Sequence, residues 1–282
     1  MNILLIGAGG QVGRELARTL APLGEVIAFD RQALDLAHVD AIRAAIRAIR
    51  PDLIVNAAAF TAVDQAEAEP DLAMAINGLA PGVMAEEARR LGALLVHYST
   101  DYVFDGAKAN PYTEDDVPKP LNAYGRSKLA GEQAIQGSGC RHLIFRTSWV
   151  YGLHGKNFLR TIARLAQERE ELSIVADQIG APTWSRMIGE ATALALRGDP
   201  ATGLYHMSSA GSTSWHGFAR AILDAQGWRG RLIPIPTRDY PLPAQRPLNS
   251  TLCNDKLTTD FGLRLPDWRE SLVLCLGDRH LS

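Results

Sequence analysis

Tyr124 and Lys128 stand four residues apart in the string Tyr124-Gly125-Arg126-Ser127-Lys128. On a helix this spacing stacks a phenol and an ammonium on one face. A cation beside a phenol favours the phenolate and lowers its pKa from about 10, which suits a proton donor to a developing alkoxide. Such pairs are common on plain helix surfaces. What gives this one weight is Ser99-Thr100-Asp101 at the end of the preceding apolar run, where a hydroxyl can point into the same cleft.

A second constellation lies at the start of the chain. Gly7-Ala8-Gly9-Gly10-Gln11-Val12-Gly13 follows one apolar run and opens a helical pattern. Glycines there permit a tight turn and close backbone approach to a pyrophosphate, while free N–H groups at the helix start attract its charge. The glycines at 7, 10 and 13 form G-x-x-G-x-x-G; the stricter G-x-G-x-x-G is broken by Val12. An acid at the end of the second strand is the expected partner of the adenosine ribose hydroxyls. Asp30 sits there, and Arg31 after it could instead hold the 2′-phosphate of NADP, so the pair leaves NADH and NADPH both open. Asn56-Ala57-Ala58-Ala59 ends the third strand with small residues that let a cofactor lie against backbone.

These residues need elements to hold them. Short apolar runs at 3–6, 25–29, 53–56, 94–98 and 142–145 read as strands; 11–20, 39–49, 71–91 and 124–136 carry the three- and four-residue apolar spacing of helices. Strand–helix alternation predicts an α/β fold: a doubly wound parallel sheet of Rossmann type covered on both faces. After about Trp149 the rhythm changes. Helices are expected at 157–167, 186–197 and 213–225, and 203–207 could return to the sheet. The stretch 233–247 carries five prolines and cannot be a central strand or long helix. The expected organisation is a nucleotide-binding domain over 1–148 with a return around 177–207. Segments 149–176 and 208–282 then form a smaller C-terminal substrate domain.

Composition narrows the function. The chain has 282 residues, 46% hydrophobic, with 29 Lys+Arg against 31 Asp+Glu. Near-neutral charge with no basic block argues against nucleic acid as a partner. Three scattered cysteines without Cys-x-x-Cys indicate neither a disulfide framework nor a zinc site. No apolar run reaches the length of a signal core or membrane span, so a cytoplasmic protein is expected and the sequon at Asn249 is idle.

Phosphate loop, acid, strand-end Ser-Thr and Tyr-x-x-x-Lys, in this order, resemble the extended short-chain dehydrogenases/reductases, which act largely on nucleotide-linked sugars. Longer strings strengthen the likeness nearly end to end, among them 50–59, 97–104 (His-Tyr-Ser-Thr-Asp-Tyr-Val-Phe), 145–152 and 177–183. The resemblance implies reduction of the C4 ketone of a dTDP-linked 4-keto-6-deoxy sugar by NADPH or NADH, in cell-surface polysaccharide synthesis. It implies catalytic roles for Thr100, Tyr124 and Lys128. It places Gly10, Gln11, Val12, Asp30, Asp35, Leu36, Ala59, Phe60, Thr61 and Tyr98 at the cofactor, with Lys128 on the nicotinamide ribose, and Thr100, Asp101 and Trp149 at the substrate. Arg246, in the Pro-rich stretch, is a further candidate for the substrate pyrophosphate, because a guanidinium fork meets phosphate oxygens two at a time. Some family members are homodimers bridged by Mg2+ on clustered acids. Glu15 fits that role, while Arg186 stands where an acid would be wanted.

Three other readings differ in one feature each. Dehydratases on this scaffold carry an Asp-Glu pair after the Ser/Thr, and here Asp101-Tyr102 lacks the second carboxylate. A non-catalytic module, like the regulatory subunit of methionine adenosyltransferase, calls for a damaged catalytic set, yet Thr100, Tyr124 and Lys128 are all present. A reductase forming the C4 epimer, a 6-deoxy-L-talose, differs only in stereochemistry that the residues do not encode.

Overall fold

The computed structural model describes residues 1–198 and 200–278; Asp199 and the last four residues of the expected 208–282 segment lie outside them. The chain begins β1 (Asn2–Ile6), α1 (Gln11–Leu20), β2 (Glu25–Phe29), α2 (Val39–Ile49) and β3 (Leu53–Asn56). It continues through α3 (Val63–Ala68), α4 (Pro70–Met74), a π-helical stretch Ala75–Leu79 and α5 (Ala80–Leu91) to β4 (Leu94–Thr100), α6 (Ala123–Ser138) and β5 (Arg141–Thr147). All five strands pair in parallel, and β4 and β5 each run two residues further than their apolar runs. That extension carries Ser99 and Thr100 to the carboxyl edge of the sheet.

Adjacent residues of each strand enter different cores, as the two-residue period of a strand requires. Leu4, Ile6, Ile54, Leu95 and Ile144 pack with α2 and α5 on one face. Ile3, Leu5, Val55, Val96 and Phe145 pack with Leu16 and Leu20 of α1 on the other. The strand centres, 3–6, 53–55, 94–96 and 143–145, are therefore apolar throughout rather than alternating, the mark of a parallel sheet buried on both sides.

The second half adds β6 (Val150–Tyr151), α7 (Phe158–Glu168), β7 (Glu171–Val175), β8 (Ile179–Gly180), β9 (Thr183–Trp184) and α8 (Ser185–Ala195). Next come β10 (Gly203–His206), β11 (Thr213–Ser214), α9 (Trp215–Ala225), β12 (Arg231–Ile235), α10 (Asp255–Phe261) and α11 (Trp268–Gly277). β10 joins the main sheet beside β5, completing the order β10-β5-β4-β3-β1-β2. α8 packs on α1, and Ile188, Ala191 and Ala195 enter the second core. A third core gathers Tyr151, Leu159, Ile162, Leu172, Phe218, Ile222, Leu232 and Trp268 from β6, α7, β7, α9, β12 and α11. Leu257 and Leu265, expected with that smaller unit, pack instead in the second core against the sheet. Pro234 is accommodated because β12 pairs only with β7, in a two-stranded ladder.

Candidate active site

A cavity of about 690 Å3 opens at the carboxyl edge of the main sheet. Gly7, Gly10, Gln11 and Val12 line it from the β1–α1 turn; Asp30, Arg31, Asp35 and Leu36 line it from the end of β2 and the loop beyond. Ala59, Phe60 and Thr61 follow β3, while Tyr98, Tyr124 and Lys128 complete the wall. Gly13 is the exception and lies beneath the loop. A Cβ at Gly13 would collide with the Gly7 carbonyl, and Gly7 itself has φ +88° with the Ala57–Ala58 backbone against it. The G-x-x-G-x-x-G spacing is thus explained: a turn glycine, an N-cap glycine at the cavity, and a packing glycine one turn into α1. Gly10 caps α1 without any side-chain hydrogen bond, which leaves the first helical N–H groups to an anion. Asp30 Oδ1 accepts from Gln32 N at 2.9 Å and Ala33 N at 3.0 Å, and Arg31 is exposed at the rim.

Tyr124 and Lys128 project from the start of α6. Asn122 Oδ1 caps this helix by accepting from Gly125 N at 2.8 Å, and its amide donates to the Gln245 carbonyl at 2.8 Å. Burial pushes the Tyr124 phenol up to about 12, with neighbouring Thr100 opposing the rise. The expected lowering by Lys128 is absent in the cofactor-free protein. Lys128 Nζ donates to the Tyr98 carbonyl at 2.6 Å and lies 3.1 Å from His97 Nε2, and burial pulls its own pKa down to about 8.

A second cavity of about 680 Å3 lies among Tyr102, Phe158, Arg169, Trp215, Tyr240 and Arg246. The Tyr102 and Tyr124 rings meet edge to face at 6.1 Å, so the two cavities abut at this pair. Arg246 reaches the second cavity, but its guanidinium forks onto Asp64 at 2.7 Å to each carboxylate oxygen. Trp149 lines neither cavity directly. Its indole stacks on Trp215, with ring centroids 3.5 Å apart and planes 5° from parallel, and its φ of +47° is held by that stack. Asp101 is buried behind Thr100, accepting from Thr100 Oγ1 at 3.0 Å and Ser148 Oγ at 2.9 Å.

Glu15 does not fit a divalent ion. Arg18 contacts its Oε2 at 3.0 Å and Arg186 at 3.5 Å, while Arg186 also pairs with Asp278. Guanidinium groups already supply the positive charge there. Among the described residues no cluster of His, Cys, Asp or Glu could hold a metal, and no helix is long and apolar enough to cross a membrane.

Several site residues escape sequence reasoning. Asn77, in the π-helical stretch, accepts from Phe60 N at 2.8 Å and donates to Phe60 O and Ser127 Oγ, both at 3.0 Å. It ties the cavity loop to α6. Lys156 lines the first cavity. Its segment is tied down by Asn157, whose amide donates to Gln11 Oε1 at 2.8 Å and Gly152 O at 2.9 Å. His97 lies under Lys128. Of these only His97 carried a local signal, being two residues before Ser99 on the strand that ends at the site.

Residues 1–280 match the family model described as the RmlD substrate binding domain. The chain is 52% identical to a dTDP-4-dehydrorhamnose reductase of Burkholderia thailandensis, with 99% of each chain covered. It is 47% identical to that of Escherichia coli K12, over 99% of this chain and 98% of the relative. A crystal structure of dTDP-4-dehydrorhamnose reductase from Bacillus anthracis in complex with NADP superposes with TM-score 0.91 at 37% identity, covering 98% and 99% of the two chains. Another, from Clostridium acetobutylicum, gives 0.94 at 37% identity over 99% and 100%. The chain therefore belongs to the dTDP-4-dehydrorhamnose reductase family of extended short-chain dehydrogenases/reductases.

Proposed function

We propose that the protein is an NAD(P)H-dependent oxidoreductase that reduces the C4 ketone of dTDP-4-dehydro-L-rhamnose to dTDP-L-rhamnose. The observation that carries this reading is the position of Tyr124 and Thr100. The phenol stands where the first cavity, built like a dinucleotide site, abuts a second one large enough for a nucleotide sugar. When bound, a reduced nicotinamide supplies the hydride for the ketone carbon. Tyr124 then delivers its hydroxyl proton to the alkoxide oxygen, and the Thr100 hydroxyl, beside that phenol, steadies the oxygen as charge builds on it.

Each cavity has groups suited to its ligand. The uncapped start of α1 and Lys156 face the cofactor pyrophosphate, Asp30 the adenosine ribose, and Arg31 a 2′-phosphate when one is present. Lys128 reaches the nicotinamide ribose from beneath. Arg246 and Arg169 supply positive charge to the second cavity for the sugar-nucleotide diphosphate, and Trp149 backs Trp215 against the sugar. Asp101 acts through Thr100 and Ser148 rather than by touching substrate.

The test is oxidation of NADPH and of NADH by the purified protein with dTDP-4-dehydro-L-rhamnose, followed by NMR of the product. A rhamnose product establishes the reading. A talose product reassigns the stereochemistry, and a cofactor that binds without turnover overturns the enzyme assignment.

A further inference from the structure

Lys128 and His97 meet in a buried array whose hydrogens can be counted, each residue being 1% exposed. Asn56 Oδ1 accepts the Ala58 N–H at 3.1 Å, which fixes the orientation of the amide. The other end of that amide, Nδ2, faces His97 Nδ1 at 3.1 Å. An amide nitrogen only donates, so Nδ1 must be the acceptor, and a neutral His97 carries its hydrogen on Nε2. Nε2 in turn lies 3.1 Å from Lys128 Nζ. An ammonium has donors and no lone pair, so a charged Lys128 would meet the Nε2–H hydrogen to hydrogen. The opposite tautomer relieves that contact only by setting an Nδ1–H against the Asn56 amide hydrogens. A neutral amine satisfies every partner: its lone pair accepts from His97, and one of its hydrogens goes to the Tyr98 carbonyl at 2.6 Å.

We propose that His97 is a positioning residue that holds Lys128 as a neutral amine in the cofactor-free protein, through an ordered chain from the Asn56 amide to Nδ1 and from Nε2–H to Nζ. The surroundings agree. Burial pushes His97 well below its ordinary value and excludes an imidazolium with two donors. Burial lowers Lys128 to about 8, and Glu132, one turn along α6, opposes this in part. Glu132 is itself committed to Arg146 of β5, at 2.9 and 2.6 Å. Tyr124 on α6 and Tyr98 on β4 are the remaining titratable neighbours, and burial keeps both phenols protonated.

The consequence, which rests on the proposed cofactor site, is a proton taken up on binding. Ribose hydroxyl oxygens and pyrophosphate charge provide the acceptors and field that an ammonium lacks in the free protein. Lys128 Nζ then gains one proton from solvent as the site fills, and the proton is in place before turnover.

The test is made without cofactor, so its outcome is independent of the reductase reading. The chain has five lysines, so protein labelled with 13C at lysine Cε gives a resolvable set of signals, and the one lost in Lys128→Met is Lys128. It is expected to be uncharged by about pH 7.5, with a midpoint about three units below those of the other four, which start from about 10.4. The His97 ring nitrogens, read by 15N shifts, are expected to show hydrogen on Nε2. His97→Gln, which can turn an acceptor oxygen toward Nζ, is expected to raise the Lys128 midpoint by a unit or more, a tenfold change in its ionisation equilibrium. A wild-type Lys128 still charged at about pH 7.5, a His97 hydrogen on Nδ1, or an unmoved midpoint in a folded His97→Gln protein overturns the proposal. If that variant does not fold, the two wild-type measurements decide.

Discussion

Thr100 Oγ1 donates to Asp101 Oδ1 at 3.0 Å, which commits the hydroxyl hydrogen to the buried carboxylate. The Thr100 oxygen in turn accepts from Tyr102 N at 3.1 Å, so the hydroxyl is fixed from both sides where it lies beside the Tyr124 phenol. Ser148 and Ser250 hold the same carboxylate from β5's end and from the loop before α10, which runs beside β8. Three segments distant in sequence thus converge on the carboxylate that orients the Thr100 hydroxyl.

Tyr124→Phe removes the acidic hydroxyl and keeps the ring's contact with Tyr102. General acid–base groups contribute about 10²–10⁴-fold, so kcat is expected to fall by that factor while NADPH affinity survives. Turnover close to wild type would remove Tyr124 as the proton donor.

Thr100→Val keeps the shape but takes away the hydroxyl beside Tyr124, with its acceptor for Tyr102 N and its donor to Asp101. A drop in kcat of about 10²-fold is expected, in the range for losing one oriented hydrogen-bonding group, with Thr100→Ser retaining most activity. Equal activities for the valine and serine variants would show that the hydroxyl is idle.

Arg31 and Lys156 separate two parts of the cofactor. Arg31→Ala is expected to raise KM for NADPH and spare NADH, since only NADPH carries the 2′-phosphate. Lys156→Ala is expected to raise both together, by a few-fold, because both cofactors carry the pyrophosphate near Gln11. Identical patterns in the two variants would contradict this division.

Arg246 is held by Asp64, whose carboxyl it keeps below the ordinary range. Arg246→Ala is expected to raise KM for the dTDP-sugar by about tenfold or more without changing cofactor affinity, and Arg246→Lys should recover little, lacking the two-toothed fork. An unchanged KM in the alanine variant would assign the Arg246–Asp64 pair to loop anchoring alone.

Burial raises the Asp101 carboxyl to about 6, against hydrogen bonds from Ser250, Ser148 and Thr100. The unfolded chain releases that proton near pH 3.9, so between about pH 4 and 6 the native state binds more protons and stability falls as pH rises. Above pH 6 both states are ionised and the full cost, on the order of 3 kcal/mol, is present. Asp101→Asn abolishes this titration. Its stability relative to wild type is expected to climb between pH 4 and 6.5 in urea melts, and parallel curves would clear Asp101 of the effect.

Much of the first half was legible because its signals are local. A strand buried on both faces is apolar at every position, as in 3–6 and 53–55, and it shows without knowledge of its neighbours. The spacing of Gly7, Gly10 and Gly13 and of Tyr124 and Lys128 is set by a turn and by helical pitch, which distances along the chain report directly. Asp30 and Thr100 were found for the same reason, since each ends a strand.

What only the tertiary structure decided lies where side chains meet across long separations. Arg246 forks onto Asp64, 182 residues away; Trp149 stacks on Trp215; Arg186 turns to Glu15. Leu257 and Leu265 return to the core of the first half. In each case several partners of suitable chemistry exist in the chain, and the path of the backbone selects one. The sequence by itself determined the sheet, the glycine loop and the placing of Thr100, Tyr124 and Lys128 at the ends of their elements, because those follow from periods and short spacings. The company each charge keeps, from Lys128 beside His97 to Asp101 behind Thr100, follows from burial, which is a property of the folded chain alone.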